Sequence, residues 1–201
     1  SDLSRMVDDL LTTARLDAGA LHFAFDDVDV AAEIADTAES FTRSGMALRV
    51  DCEPATVRAD RTRFRQVVRN LLSNAKKYGG PNVRIEGRST GNTYLVSVAD
   101  DGTGLPDGVE EHIFERFVHK GRDSATTDSV GLGLSIVHAL VLGMGGAITY
   151  ERKAHETHFI VRVPLSHDAP IPVAPAQPAL TASGNPAAAA EHAAASLRGN
   201  R

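Results

Sequence analysis

Residues 67–80 read VVRNLLSNAKKYGG, a run that is built like a buried helix but carries two asparagines one turn apart. At about 100° per residue, the apolar side chains of this region share one arc: Phe64, Val67, Val68, Leu71, Leu72 and Ala75. Asn70, Asn74 and Lys77 form a narrow second arc beside it, and Tyr78 lies at the core edge near Asn74. The pattern predicts a long helix with a polar line along the border of the core.

This polar line offers groups that suit a nucleotide. An amide oxygen is a hard, neutral ligand of the kind that Mg²⁺ accepts. A lysine one turn on supplies a point charge for phosphate, and a tyrosine ring can cover a nucleobase. The alternative is that both amides cap neighbouring backbone groups, and the helix alone leaves the two interpretations open.

A glycine-rich loop follows a predicted strand in VADDGTGLP, residues 98–106. Gly102 and Gly104 allow the backbone to turn tightly and to approach a ligand closely. Asp100, at the strand end, offers a carboxylate that can accept a hydrogen bond from an exocyclic amine, which favours adenine. Many ordinary turns share this D-x-G-x-G pattern, so it does not identify a site by itself.

A second pair of glycines opens a predicted helix in SVGLGLSIVHALVLGMGG, residues 129–146. Gly131 and Gly133 stand where the helical apolar period begins, hence at a helix N-terminus. Free backbone N–H groups and the positive helix end favour anions there, although a merely tight helix start is the alternative. No G-K-[ST] follows, as the Walker pattern requires, and neither loop opens a βαβ unit with the dinucleotide spacing.

The remaining pattern mixes strands and helices without regular βαβ alternation. A hairpin is predicted across Gly91-Asn92, and a short helix is predicted around HIFERF, residues 112–117. Further helices are predicted at AAEIADTAESFTRSG, from about Arg61 to Tyr78 and from about Gly131. Further strands are predicted at LHFAFDDVDV, ALRVDCE, ATVRAD, GAITYERKA and THFIVRVPL. The expected fold class is α+β, with a mixed sheet and helices on one face.

The two ends of the chain differ from its centre, so three segments are expected. Residues 1–19 carry a narrow, heptad-like apolar stripe that ends at Gly19, as in a helix that packs in a bundle with other helices; a helix lying on its own domain is the alternative. Residues 20–166 hold the α+β pattern. Residues 167–201 are rich in Pro and Ala with almost no large apolar side chain, which predicts a flexible tail.

Composition narrows the classes of function. The formal net charge of -5 argues against nucleic acid as the main partner. The single cysteine, Cys52, cannot form an internal disulfide, and no spacing offers a zinc site, which fits a reducing, cytoplasmic setting. No apolar stretch approaches the roughly 20 residues that span a bilayer. Because the chain opens inside a helical pattern without an initiator methionine, it is expected to be a fragment of a longer protein.

Taken together and in this order, these stretches resemble the catalytic, ATP-binding domain of bacterial sensor histidine kinases, which has the two-layer Bergerat (GHKL) fold. NLLSNAKKY resembles the N box, DDGTG with Leu105 and Pro106 the first glycine box, IFERF the phenylalanine box and GLGLSIV the second glycine box. DLLTTARLDAG is similar to the end of the dimerisation and phosphotransfer helix, and THFIVRVPL to the last strand. The resemblance covers about Leu3 to Leu165.

The resemblance implies a role for each motif residue. Asn74 would be the metal ligand that holds Mg²⁺ between the phosphates of ATP. Asn70, facing the same site, and Lys77, meeting phosphate oxygens, would be the catalytic residues. Tyr78 would lie over the adenine, and Asp100 would bond its amino group. The other expected nucleotide contacts are Gly102, Gly104, Leu105, Lys120, Arg122, Gly131, Leu132, Gly133 and Leu134.

A mobile ATP lid is also implied by the resemblance, over about residues 118–130. Phe114 and Phe117 would anchor its base. Lys120 and Arg122 are the lid cations expected to reach phosphate, and solvated loop charges are the alternative for both.

Several departures from the family pattern bear on activity. Asn70 stands where the hydrolysing ATPases of this fold have a glutamate that activates water; an amide cannot take that proton, so slow intrinsic hydrolysis is expected. Val130 has no hydroxyl where a threonine is common, and Glu156 replaces a glycine, with an effect expected only on a turn. None of the eight histidines lies in an H-[ED]-x-x-[ST]-P-like acceptor run. The chain is therefore expected to bind ATP without autophosphorylating.

The resulting prediction is an ATP-dependent protein-histidine kinase domain that transfers the γ-phosphoryl group to a histidine outside this chain. The expected partners are a dimerisation bundle that carries this histidine, in the same full-length protein or in a partner chain, and a response regulator. The parent is expected to be a homodimer that can be anchored in the cell membrane. One alternative is an anti-sigma-type serine kinase of the same fold, but DLLTTARLDAG and Asn70 argue against it. The other is a non-catalytic nucleotide-binding module, which Val130 supports.

Overall fold

The computed structural model describes residues 2–106, 108–110, 112–115 and 132–166, with side chains from residue 7 onward. Its helices are α1 (Asp2–Asp17), α2 (Val30–Arg43), α3 (Arg61–Tyr78) and α4 (Gly133–Gly143). Its strands are β1 (Phe25–Asp29), β2 (Leu48–Cys52), β3 (Thr56–Asp60), β4 (Val83–Thr90), β5 (Thr93–Asp100), β6 (Ala147–Lys153) and β7 (Glu156–Pro164). None of the helices in these ranges is both long and apolar enough to cross a membrane.

The main sheet has the strand order β2-β4-β5-β7-β6. The β2–β4 pair is parallel and the other pairs are antiparallel. Side chains alternate along the strands, so that Val83 and Ile85 of β4 are buried while Arg84 and Glu86 are half-exposed. The buried side faces α2, α3 and α4. The predicted α+β class, with a mixed sheet and helices on one face, is confirmed.

Helix α3 has the predicted bounds because its sequence supplies both ends. One carboxylate oxygen of Asp60 caps the helix by accepting from the Arg63 N–H at 3.0 Å, and the other accepts from the Ala24 N–H at 2.9 Å. The N–H of Gly79 closes the far end on the Ala75 carbonyl. The predicted core residues are all buried: Phe64, Val67, Val68, Leu71, Leu72 and Ala75.

Helix α1 ends in a Schellman motif at Gly19, whose φ is 61°. One side of the helix lies on its own domain: Thr12 is buried, and the Gln66 side chain donates to Asp9 Oδ1 at 3.3 Å and to Thr12 Oγ1 at 3.4 Å. The other side presents part of the predicted apolar stripe to solvent, namely Val7, Leu10 and Leu11. The alternative prediction, a helix that lies on its own domain, thus describes one side of α1.

Two expectations about local structure are wrong. The predicted strand LHFAFDDVDV is regular only over β1, because the N–H of Ala24 bonds the Asp60 carboxylate instead of a neighbouring strand. The predicted short helix at HIFERF is a succession of turns over residues 112–115, closed by i→i+3 bonds such as Glu115 N–H to the His112 carbonyl. Residues 116 and 117 lie outside the described residues.

Candidate functional site

The end of α3 and the first glycine loop pack backbone to backbone. A Cβ atom added to Gly79 would lie 2.8 Å from Asp100 Cγ, and one added to Gly102 would lie 2.8 Å from the Gly79 Cα. Such distances are too short for real Cβ atoms, so glycine is required at both positions. The asparagine helix and the D-x-G-x-G loop, about 20 residues apart in the chain, therefore form one unit.

Asp100 places a carboxylate in this unit with only 6% of the residue exposed. Burial raises the pKa of this carboxyl group above the ordinary aspartate value. Hydrogen bonds from the Gly102 and Gly80 backbone N–H groups and the positive charge of Arg152 oppose the rise. The Gly102 N–H lies 3.0 Å from Asp100 Oδ1. The carboxyl group is thus fixed in position as a buried acceptor.

Two residues next to Asp100 were not identified from the sequence. Thr157 pairs with Asp100 across the β5–β7 ladder and is 4% exposed. Arg152 donates from Nη1 to the Thr157 hydroxyl at 2.8 Å and to the Gly102 carbonyl at 2.9 Å. The available signal for Thr157 was its inward position in the last strand. No local signal marks Arg152, because its contacts depend on the order of strands.

The polar line of α3 has an unsatisfied member. Asn70 is 6% exposed, and its Nδ2 atom has no hydrogen-bond partner among the described residues. A buried N–H group without a partner costs about 1–3 kcal/mol, and the Nδ2 atom of Asn70 caps no backbone carbonyl in the described part of the chain. Asn74 is half-buried, and Lys77 is exposed with Nζ 5.4 Å from the Tyr78 ring centroid. Tyr78 is 53% exposed. Helix α3 thus presents an aromatic ring, a cation and two amides along one line.

The start of α4 has the features of an anion site. Its N-cap residue, Leu132, makes no side-chain capping bond, and its first turn has no acidic residue. No described atom would lie within 4 Å of a Cβ atom at Gly133, and its φ is not positive. Within the described part of the chain, neither packing nor backbone strain therefore demands this glycine, and the first N–H groups of a helix favour an anion. Leu105 and Leu134 are packed against the core.

Several expected site residues cannot be placed. Lys120, Arg122 and Gly131 lie outside the described residues, as does the whole of the expected lid, residues 118–130. Phe114 is described, and it stacks on His138 of α4 with ring centroids 5.4 Å apart. In the described ranges, no group of three or more His, Cys, Asp or Glu side chains could hold a metal ion.

Glu156 does more than shape a turn, contrary to expectation. Its carboxylate makes a bidentate pair with the Arg84 guanidinium, with both N–O distances 3.1 Å, and this pair lowers the pKa of Glu156. Because Thr157 points into the core, its neighbour Glu156 lies on the opposite face of the sheet. The pair joins β7 to β4 across β5 on that outer face.

Comparison with known proteins gives one family match. Residues 59–167 match the family model described as histidine kinase-, DNA gyrase B-, and HSP90-like ATPase. The match runs from the end of β3 to beyond the end of β7 and so includes the asparagine helix, both glycine segments and Thr157.

Curated relatives are sensor kinases. The chain is 37% identical over 180 residues to the "Probable sensor histidine kinase TcrY" of Mycobacterium tuberculosis, covering 86% of this chain and 38% of that protein. It is 35% identical over 151 residues to the "Signal transduction histidine-protein kinase AfsQ2" of Streptomyces coelicolor, covering 74% of this chain and 28% of that protein. The chain thus spans well under half the length of these relatives.

Solved structures of histidine kinases are also similar to this chain. The structure of full-length ShkA in complex with AMPPNP superimposes with a TM-score of 0.69 and 29% identity, over 85% of this chain and 37% of that chain. The nucleotide-free catalytic domain of the histidine kinase ThkA gives a TM-score of 0.62 and 29% identity, over 72% of this chain and 97% of that domain.

Proposed function

Since this chain belongs to the histidine kinase-, DNA gyrase B- and HSP90-like ATPase family, we propose that it transfers the γ-phosphoryl group of Mg²⁺-bound ATP to a histidine outside the chain. The chain is the ATP-binding catalytic domain of a two-component sensor histidine kinase. The observation that supports this proposal is the close packing of the α3 end, at Gly79, against the loop of Asp100.

The phosphate side of the site would be formed by α3 and α4. Asn74 would bind Mg²⁺, Lys77 would meet phosphate oxygens, and the first N–H groups of α4 around Gly133 would hold the anion. The Nδ2 atom of Asn70, buried without a partner among the described residues, fits such an occupant. Mg²⁺ would supply charge compensation for the phosphates. Lys120, Arg122 and Gly131 remain proposed contacts of the same group.

The base side would be formed by the first glycine loop and the end of α3. Asp100, held by the N–H group of Gly102, would be the acceptor for the adenine amino group. Tyr78, which is 53% exposed, would cover the base. Gly102, Gly104 and the core-packed Leu105 would complete this wall.

The polar line of α3 also supports the choice of acceptor. Asn70 cannot remove a proton from water at neutral pH, and its position is buried in the helix face that carries Asn74. Such a site would hold ATP until a protein nucleophile arrives, so that catalysis consists of positioning and charge compensation.

The partners proposed for the chain follow from the same function. The acceptor would be a histidine on a dimerisation bundle, and the next acceptor would be a response regulator. A homodimeric, membrane-anchored parent and a cytoplasmic location for this chain remain predictions. The segment limits of 1–19, 20–166 and 167–201 also remain proposals.

Calorimetric titration of ATP with and without Mg²⁺ tests the nucleotide site. Asn74→Ala should weaken Mg²⁺-dependent binding roughly ten-fold while changing Mg²⁺-free binding little, because one metal ligand is lost. Asn92→Ala, at the remote β4–β5 turn, is the matched control. Equal losses with and without Mg²⁺ would remove the metal role of Asn74, and no uptake by the wild-type chain would refute the site.

Transfer is tested by adding a dimerisation-bundle fragment that carries the histidine to the chain and labelled ATP. Label should appear on the fragment and not on this chain. A stable phosphohistidine on the chain itself would contradict the proposed acceptor. Binding of ATP without transfer to any cognate bundle would instead favour a non-catalytic nucleotide-binding module.

A further inference from the structure

Asp100, Thr157 and Arg152 form one row across three neighbouring strands. Asp100 of β5 pairs with Thr157 of β7, and Thr157 pairs with Arg152 of β6. Residues that pair directly in an antiparallel ladder have their side chains on the same face and about 5 Å apart. The row therefore leads from the buried carboxylate to the edge strand of the sheet.

Arg152 uses this position to hold the first glycine loop. Its Nη1 atom bonds the Gly102 carbonyl at 2.9 Å and the Thr157 hydroxyl at 2.8 Å. The rest of the guanidinium lies along Gly104, whose Cβ, if present, would be 3.0 to 3.2 Å from Nη1, Cζ and Nε. Gly104 has a φ of 77°. One side chain thus contacts the loop at both of its glycines.

The opposite side of the loop is held independently of Arg152. The carboxylate of Asp101 accepts from the Asn82 backbone N–H at 2.9 Å and from its side-chain amide at 2.6 Å. Gly102 then bonds Asp100 through its N–H and Arg152 through its carbonyl. Removal of Arg152 would release the loop only on the side of β6 and β7.

We propose that Arg152 is a positioning residue for adenine recognition, which holds the Asp100–Gly104 loop in the geometry that aims the carboxylate at the exocyclic amine. The inference rests on the proposed function of the site. The positive charge of Arg152 contributes as well, because it opposes the rise in the pKa of Asp100 that burial causes. Arg152 acts through Asp100 and needs no contact with the phosphates.

The hairpin that carries Arg152 is well suited to act as the fixed side. Adjacent to Thr157 in β7, Glu156 is paired with Arg84 of β4 on the outer face. The hairpin is therefore joined to the centre of the sheet on the outer face and to the loop on the inner face. A rigid support is what a positioning residue requires.

Arg152→Met is the informative variant, since methionine retains much of the length and apolar packing but has no donor. The readout is the ratio of affinities for ATP and for purine riboside triphosphate, which lacks the amino group, measured with Mg²⁺ in both cases. The wild-type ratio should fall roughly ten-fold in the variant, the usual effect of losing one charge-assisted hydrogen bond. Affinity for inorganic tripolyphosphate should not change.

Controls separate this role from general damage. Arg162→Met removes an arginine from the same hairpin on the outer face, where Nη1 lies 3.5 Å from the Thr149 hydroxyl, and should leave the ratio unchanged. Arg152→Lys keeps the charge and should retain part of the preference. An unchanged ratio in folded Arg152→Met, or an equal loss for both nucleotides, would refute the inference. A wild-type chain that binds no nucleotide would instead refute the proposed function.

Discussion

Gly79 lies against the carboxyl group of Asp100, so closely that a Cβ atom would approach Asp100 Cγ to 2.8 Å and the Ala75 carbonyl oxygen more closely still. The contact joins the C-cap residue of the asparagine helix to the proposed acceptor of the adenine amino group. Neither neighbour is the free end of a flexible side chain. Stability and nucleotide binding should therefore both depend on Gly79.

Gly79→Ala should lower the free energy of unfolding by about 1–3 kcal/mol, the usual cost of overpacking, and should weaken ATP binding. Denaturant unfolding and calorimetry measure the two effects. Gly133→Ala is the matched comparison, because its Cβ would meet no described atom; it should fold with normal stability but bind nucleotide less well. Normal stability of Gly79→Ala would show that the helix end can shift.

Binding of adenine nucleotides should weaken on acidification at a higher pH than an ordinary aspartate would cause. Burial raises the pKa of Asp100, and Asp101 adds to this rise, while the Gly102 and Gly80 N–H groups and Arg152 oppose it. A protonated Asp100 accepts less well. The effect of pH on folding has the opposite sign. Because folding raises the pKa of Asp100, this group stabilises the folded chain at pH values below its pKa in the unfolded chain, and that contribution is lost as the pH rises through its pKa in the folded chain.

The pH dependence is measured by titrating ATP and tripolyphosphate between about pH 4 and pH 7, since the polyphosphate corrects for phosphate protonation. Asp100→Asn should bind ATP weakly and should lose the acid-dependent component. A wild-type profile that matches tripolyphosphate over the whole range would contradict the proposed acceptor role.

The sequence predicted those features of the site that depend only on residues close together in the chain. The span of α3 follows from the apolar period, and the start of α4 at Gly133 follows from the onset of a second apolar period beside a glycine pair. The contacts of Arg152 with Gly102 and of Thr157 with Asp100 could not be predicted, because they require β5, β7 and β6 to be neighbours. Strand order is a long-range property that alternation within each strand does not encode.

The sequence also could not show which glycines are required for packing between segments that are far apart in the chain. Gly79 and Gly80 follow the helix in the manner of an ordinary C-terminal stop, and only the fold shows that they contact Asp100 and Asp101. Glu156 is the converse case. Its departure from the family pattern suggested a turn effect, whereas the fold pairs it with Arg84, 72 residues away.

Asn70→Leu should separate stability from activity. The Asn70 amide nitrogen is buried without a partner in the described part of the chain, so an apolar side chain of similar size should leave stability equal or raise it by about 1 kcal/mol. Phosphotransfer to a histidine-bearing bundle should fall, because the amide proposed to face the phosphates is lost. Thermal unfolding and labelled transfer are the measurements.

An asparagine with a satisfied amide gives the matched control for this change. Asn82→Leu removes the side-chain hydrogen bond to the Asp101 carboxylate, although the backbone N–H bond remains, and should lower stability. If Asn70→Leu destabilises the chain as much as Asn82→Leu does, the Asn70 amide has a structural partner and the proposed role is weakened.

The β6–β7 turn should be stabilised by glycine. Its two loop residues, Ala154 and His155, have φ values of 47° and 71°, a region that costs an L-residue about 1–2 kcal/mol. His155→Gly should therefore raise the free energy of unfolding by about 0.5–1 kcal/mol and raise Tm by roughly 2–4 °C. This gain is what remains after subtracting the extra conformational entropy that glycine has in the unfolded chain.

Gly91→Ala makes the reverse change at the other two-residue hairpin, where φ is 55° and no described atom lies within 4 Å of an added Cβ. This variant should lower Tm for the same reason. Calorimetric scans of both variants test the pair, and an unchanged or lower Tm for His155→Gly would mean that contacts of the imidazole outweigh its backbone strain.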